Sequence, residues 1–308
     1  MNVSRKGEGR VERDKELHRA WTSLMRLMPP AWVAGLRSCE GIELRARLGQ
    51  PLQVLEAARE VVLPLSATEA DIEHLVSACS GSSLYAYEEE MKQGFITLPG
   101  GHRVGFAGKV MLDSTGHVRG LKHISAVCLR VARSIPGSAD GVMKEILDET
   151  GTPYHTLIVS PPQAGKTTLL RDIARQVSLR GKRVCIVDER SEIAGCYRGR
   201  PELDVGPRTD VLDGCPKAQG MLMALRSLSP QVLITDEIGR CEDVRAMLEA
   251  LHAGVRVVAT AHGSSLAEVG ERPHLSGLMG QHMFRKAIVL SHRRGPGTIE
   301  YVGHACPH

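Results

Sequence analysis

Apolar and charged residues mix at helical spacing over 17–31, and Pro29 and Pro30 break the run, so a helix followed by a turn is expected there. The stretch "IELRARLGQPLQVL" alternates apolar and polar positions over 42–47, turns at 49–51 and resumes as a second short strand, which predicts a hairpin. In "ATEADIEHLVSACS" an acidic first turn precedes apolar residues at i, i+3 and i+4 spacing, the pattern of a helix. Two strand-like runs flank Pro99, Gly100 and Gly101 in "GFITLPGGHRVGFAGKVML", a second hairpin signal. This mixed region ends near residue 132, the run 139–147 predicts a linking helix, and 151–153 is a joint between domains. Beyond it the pattern changes to apolar strands alternating with helices, as in a parallel sheet. The organisation expected is an unstructured lead-in over 1–16, a smaller mixed α/β domain over 17–138, a linking helix and joint over 139–153, and a larger α/β domain over 154–308.

Composition narrows the class. A hydrophobic fraction of 42% with 24% charged residues is that of a globular protein, and no stretch approaches the roughly 18 unbroken apolar residues of a membrane-spanning helix. The start, "MNVSRKGEGRVERDKELHRAW", lacks the apolar core and cleavage site of a secretory signal, so a cytosolic protein is expected. The eight cysteines are scattered, without a C-x-x-C pair or zinc spacing, and read as reduced thiols. A formal charge of +4 spread along the chain and only 3% aromatics argue against a stacking platform for single-stranded nucleic acid.

The chemistry concentrates in "SPPQAGKTTLLRDIAR", which differs from the phosphate-binding pattern G-x-x-x-x-G-K-[ST] by Ser160 at the first glycine. The apolar run "HTLIVS" precedes it. After it, Leu169, Leu170, Ile173, Ala174 and Val177 share one helical stripe. Between a strand and a helix, successive backbone N–H groups and the positive helix end converge on phosphate oxygens; Pro161 and Pro162 have no amide hydrogen but bias the turn. Gly165 allows close approach, Lys166 places a cation between the β- and γ-phosphates, and Thr167 offers its hydroxyl to magnesium. The nucleotide-binding loop is therefore Ser160, Pro161, Pro162, Gln163, Ala164, Gly165, Lys166, Thr167 and Thr168. Pro161 and Pro162 bias the turn the missing glycine would ease; a positive φ at Ser160 would cost on the order of 1 kcal/mol.

Such a loop needs carboxylates at the end of a neighbouring strand, and "QVLITDEIGR" supplies them. Asp236 is expected to hold the metal through water and Glu237 to orient or deprotonate the attacking water. Two further strand ends carry Asp188 with Glu189 ("RVCIVDERSEIAG") and Thr260 with His262 ("VRVVATAHGSS"). A carboxylate there would help align water, and a histidine would sense the phosphate.

With these residues in hand, the blocks "GGHRVGFAG", "SPPQAGKTTLLRDIAR", "VDERSEIAG", "DVGPRTDVLDGCPKAQGM", "RSLSPQVLITDEIGR" and "TAHG" resemble the stage III sporulation AA family of bacterial ATPases over nearly the whole chain. That family is similar to the hexameric ATPases of type II and type IV secretion and pilus retraction. The resemblance implies a P-loop, RecA-type core with a smaller N-terminal domain, using ATP and Mg2+. It matches the acidic box to Asp188 and Glu189, the second carboxylate motif to Glu237 through Arg240, and the histidine box to His262. It also implies a homohexamer on the mother-cell, cytoplasmic side of the membrane, with the integral membrane components of a sporulation channel complex as partners. In hexamers of this kind an arginine from another domain or subunit completes the site, and the candidates are Arg103, Arg130, Arg133, Arg226 and Arg240. The long Gly- and Pro-rich segment "CYRGRPELDVGPRTDVLDG" fits a pore or interface loop or a plain surface excursion. Two other readings stand beside the motor: a RecA-type protein binding nucleic acid, since plastid and bacterial relatives join this core to a single-stranded nucleic-acid module that is not seen after "TIEYVGHACPH", and a nucleotide-regulated scaffold without turnover. No base-reading motif distinguishes adenine from guanine.

Overall fold

The computed structural model describes residues 15–57, 59–81, 87–280 and 283–305. The lead-in expected over 1–16 lies outside the described residues except for its last two, which are helical, and Cys306 lies outside them too. The chain divides into two compact units, Met1–Arg133 and Ser134–His308.

In the first unit α1 covers 15–24, a 3-10 turn spans Met25–Leu27, and α2 is Pro30–Leu36. Then come β1 (Glu43–Arg47), β2 (Pro51–Leu55), β3 (Glu60–Ser66), α3 (Glu69–Cys79), α4 (Glu88–Lys92), β4 (Phe95–Thr97), β5 (Arg103–Leu112) and β6 (Val118–Arg130). The strands form one antiparallel sheet in the order β3-β2-β1-β6-β5-β4. Alternation turns Leu44, Ala46, Leu52, Val54, Val127 and Leu129 to one face, where they pack with Trp21, Trp32, Ile72 and Leu75. The start of α3 is fixed by a capping box in which the Thr68 hydroxyl accepts from the Asp71 amide and the Asp71 carboxylate accepts from the Thr68 amide.

The second unit contains α5 (Asp140–Ile146), β7 (Thr156–Ser160), α6 (Lys166–Leu179), β8 (Val184–Asp188), β9 (Thr209–Asp213), α7 (Lys217–Ser227), β10 (Val232–Thr235), α8 (Cys241–His252), β11 (Arg256–His262), α9 (Leu266–Gly270), α10 (Pro273–Gly280), β12 (Lys286–Ser291) and β13 (Thr298–His304). Its sheet runs β13-β12-β7-β11-β10-β8-β9, parallel throughout except for the antiparallel edge strand β13. Both faces are covered, which is why the central strands read as unbroken apolar runs. Leu157 and Val159 face α7 and α8 through Met221, Ala224, Met247 and Ala250, whereas Ile158 faces α5 and α6 through Val142, Leu170, Ile173 and Val177. Parallel strands end together, so Ser160, Asp188, Thr235 and His262 reach the same edge of the sheet.

Several expectations are revised. The turn at Pro29 and Pro30 begins a second helix, because proline at the first helical position loses only an amide that has no intrahelical partner. The segment 139–153, expected as a linker and joint, belongs to the second unit, where Ala139, Val142, Met143 and Ile146 are core residues. Part of the Gly- and Pro-rich loop is a strand: Thr209–Asp213 pairs in parallel with β8 at the sheet edge. The carboxylates of "DEIGR" do not follow the strand next to the phosphate loop, since β11 lies between β7 and β10. No helix among the described residues is long and apolar enough to cross a membrane.

Candidate functional site

The loop after β7 turns into α6 with Gly165 as its N-cap, φ 90°. A side chain there would be strained, and its Cβ would lie 3.0 Å from the Gly297 amide nitrogen. The loop is braced from outside by the turn between β12 and β13: the Gly297 amide donates to Ala164 O at 2.9 Å, and His292 Nε2 lies 2.8 Å from Pro162 O. The amides at the start of α6 have no intrahelical acceptors, and no acidic side chain stands in its first turn, so this end of the helix presents unopposed positive charge. Ser160 is fully buried, its hydroxyl donates to Pro161 O at 2.7 Å, and it is not among the positive-φ residues. The left-handed positions are Gln163, φ 61°, and Gly165, so serine in place of the first glycine carries no such strain.

Lys166 extends from this loop to β11, where its Nζ lies 3.0 Å from His262 Nδ1 and 3.1 Å from His262 Nε2. The His262 Nε2 is 3.0 Å from Glu237 Oε1, so the histidine bridges the lysine and the carboxylate across the strand that separates them. Glu237 has φ 34°, and its amide donates to the Thr260 hydroxyl at 2.7 Å. Burial pushes the Lys166 ammonium below its ordinary pKa against the opposing pull of Glu237, Glu192 and Asp236. Asp236 is 4% exposed; burial raises its pKa although Lys217 pulls the other way, and its Oδ1 accepts no hydrogen bond.

The end of β8 divides into two roles. Asp188 is fully buried and accepts from the amides of Glu192, Ile193 and Ala194, each at 2.9 Å, while burial pushes its pKa up to about 7. It shapes the loop that follows. Arg171 on α6 grips the same loop through Ile193 O and, at 2.7 Å, Glu192 O. Glu189 instead pairs with Lys217, the first residue of α7, whose Nζ is also 3.6 Å from Asp236 Oδ1. Arg190 on this loop reaches Glu237, with Nη1 3.5 Å from Oε2. A cavity of about 450 Å³ opens beside these groups, lined by Glu189, Arg190, Lys217, Glu237, Arg240 and His262 among others.

Of the arginine candidates, only Arg240 lines this cavity. Arg226 is in the last turn of α7, the end opposite Lys217. Arg103, Arg130 and Arg133 belong to the first unit: Arg103 stacks on Phe95 with 3.5 Å to the ring centroid, Arg130 pairs with Glu43 at 2.9 Å, and burial lowers the Arg133 pKa. Arg190 and Lys217 were not singled out by pattern. Arg190 follows directly on the acidic pair in "VDERSEIAG", a signal local enough to have been used, whereas the partners of Lys217 lie on other strands.

Among the described residues no group of three or more His, Cys, Asp or Glu side chains is arranged to hold a metal by itself. The donor set suits a metal whose remaining ligands come with a polyphosphate. Asp236 presents a buried oxygen without a hydrogen-bond partner, and Gly165 leaves room that a Cβ would fill.

A covered parallel sheet that brings a strand–loop–helix lysine turn and polar strand ends to one edge defines a P-loop protein with a RecA-type core. Solved structures with this fold include the ATPase DotB of Legionella pneumophila, with a TM-score of 0.52 and 18% identity over 81% of this chain and 71% of that one. The pilus retraction motor PilT, in a structure with bound ADP, gives 0.52 and 15% identity over 81% of this chain and 74% of that one. The family described as sporulation stage III, protein AA matches residues 33–304, and the chain belongs to that family. Stage III sporulation protein AA of Bacillus subtilis (strain 168) is 45% identical over 265 residues, 84% of this chain and 85% of that protein.

Proposed function

We propose that this chain binds ATP with Mg2+ and hydrolyses it to drive or gate a membrane-associated channel complex in endospore formation. The observation that carries the reading is the cluster of Lys166, His262 and Glu237, with Lys166 Nζ 3.0 and 3.1 Å from the two His262 ring nitrogens and His262 Nε2 3.0 Å from Glu237, at the mouth of a left-handed glycine loop. In this reading the amides of 163–168 and the Lys166 ammonium hold the β- and γ-phosphates. A bound magnesium ion would neutralise phosphate charge, and Thr167 and Asp236 are the residues that would hold it. Glu237 orients or deprotonates the water, and its backbone geometry aims the carboxylate toward Lys166 through His262. His262 exchanges its contact with Lys166 for one with the terminal phosphate, while Glu189 and Arg190 complete the charged wall.

The fold shared with the ATPase DotB and the pilus retraction motor PilT fits a motor ATPase, and the assembly proposed for it is a homohexamer. The family assignment supports a place in sporulation; the location proposed is the mother-cell cytoplasmic side, with integral membrane proteins as the proposed partners. An arginine from a neighbouring subunit would then complete each site, worth ~10³-fold or more in rate. The test is phosphate release by the wild type and Lys166→Ala, with a mass measurement in the presence of ATP. A ring that releases phosphate in the wild type and not in the variant supports the proposal; equal release by both ends it.

A further inference from the structure

Lys217 is a lysine in an unfavourable place. It is 7% exposed and is the first residue of an eleven-residue helix, where the helix dipole opposes a cation, and no acidic side chain in that first turn offsets it. Burial of an ammonium adds a desolvation cost that only well-placed anions offset. Those anions are the carboxylates of Glu189, on the loop after β8, and Asp236, at the end of β10. The contact with Asp236 is ionic, not a hydrogen bond: Nζ is 3.6 Å from an Oδ1 that accepts no hydrogen bond from any group. The phosphate-loop lysine does not compete for this position, because its ammonium rests on His262.

We infer that Lys217 is the resident counter-cation of Glu189 and Asp236, and that it keeps a divalent ion off this carboxylate pair until a polyphosphate arrives with its own negative charge. The inference rests on the nucleotide reading proposed above and adds the order in which charge enters the site. Counted formally, Lys217 cancels one of the two negative charges of the pair, and a dication held there needs further ligands. A bound triphosphate supplies oxygen ligands and negative charge, and the balance then favours the metal. Lys217 is thus a positioning residue, which sets the metal requirement without touching the reacting atoms.

The test is a titration of the full chain with Mn2+ in the absence of nucleotide, read from the electron paramagnetic resonance signal of the free ion. Lys217→Met should bind Mn2+ at least ~10-fold more tightly than the wild type, since one positive charge a few ångströms from the pair has been removed. Lys217→Arg, which keeps the charge, should match the wild type, and adding Asp236→Asn to Lys217→Met should abolish the gain. If Lys217→Met fails to fold, Lys217→Gln takes its place, retaining a hydrogen-bond donor for Glu189. A folded neutral variant with unchanged Mn2+ affinity overturns the inference, as does a gain that survives Asp236→Asn. Because the titration contains no nucleotide, absence of ATP binding by the wild type would defeat the nucleotide reading alone. Unchanged Mn2+ affinity in a variant that still binds fluorescent ATP would defeat the Lys217 inference alone.

Discussion

The backbone amide of Glu237 donates to the Thr260 hydroxyl at 2.7 Å and so ties the acid, in its left-handed backbone, to the neighbouring strand. Backbone of this kind persists only where the surroundings hold it. Thr260→Val keeps the shape of the fully buried side chain but leaves the amide without its acceptor, at a cost of about 1–3 kcal/mol. Turnover should fall ~10-fold or more as the carboxylate loses its aim, with ATP binding retained. Urea denaturation and phosphate release measure the two effects, and turnover at the wild-type rate would show that this bond does not position Glu237.

Gly165 is the point where the loop tolerates least. Gly165→Ala places a Cβ at φ 90° and within 3.2 Å of both N and Cα of Gly297, which moves the brace formed by the turn between β12 and β13. The backbone strain alone is about 1–2 kcal/mol. Fluorescent ATP should bind the variant at least ~10-fold more weakly, because the amides that converge on phosphate no longer do so. Wild-type affinity would mean that the nucleotide contacts lie elsewhere.

Two buried groups give stability opposite pH slopes in overlapping windows. Burial lowers the His155 pKa from 6.5 to about 4, and its Nδ1 accepts from the Val257 amide at 3.1 Å. Below pH 6.5 the unfolded chain takes up a proton that the folded chain refuses, so stability is lost as pH falls from 6.5 to about 4. Asp188 behaves in reverse: its folded pKa is raised from 3.8 to about 7, so its contribution is full below 3.8 and is lost as pH rises to about 7. Urea midpoints measured against pH for the wild type and His155→Gln should diverge, with the wild type losing relatively more stability toward acid. Parallel profiles would contradict a neutral buried His155.

Much of this site was legible because its determinants are local. A strand, a lysine turn and a helix lie consecutively over 156–179, so apolar pattern and loop chemistry place them together without knowledge of the rest. The strand ends carrying Asp236, Glu237 and His262 were readable for the same reason, since parallel strands present their ends at one edge. What escaped depends on strand order and on distant partners. That β11 separates the lysine from the carboxylates, and so makes His262 a bridge, follows from a topology no single segment encodes. Lys217 carries no local sequence signal, because its partners Glu189 and Asp236 are brought to it only by β8 and β10. Asp188 shares a strand end with Glu189, yet complete burial makes it the anchor of the 192–194 backbone. In the first unit β6 went unread because only Gly120, Val127 and Leu129 of its length are buried, leaving most of the strand without alternation.

The central claim is that Lys166 and Glu237, linked through His262, act on one triphosphate. The most direct measurement is ATP binding and phosphate release by Glu237→Gln, which keeps the size of the side chain and removes its charge. The account predicts binding close to wild type with turnover reduced at least ~100-fold. Turnover near the wild-type rate, or loss of binding equal to that of Lys166→Ala, would contradict it.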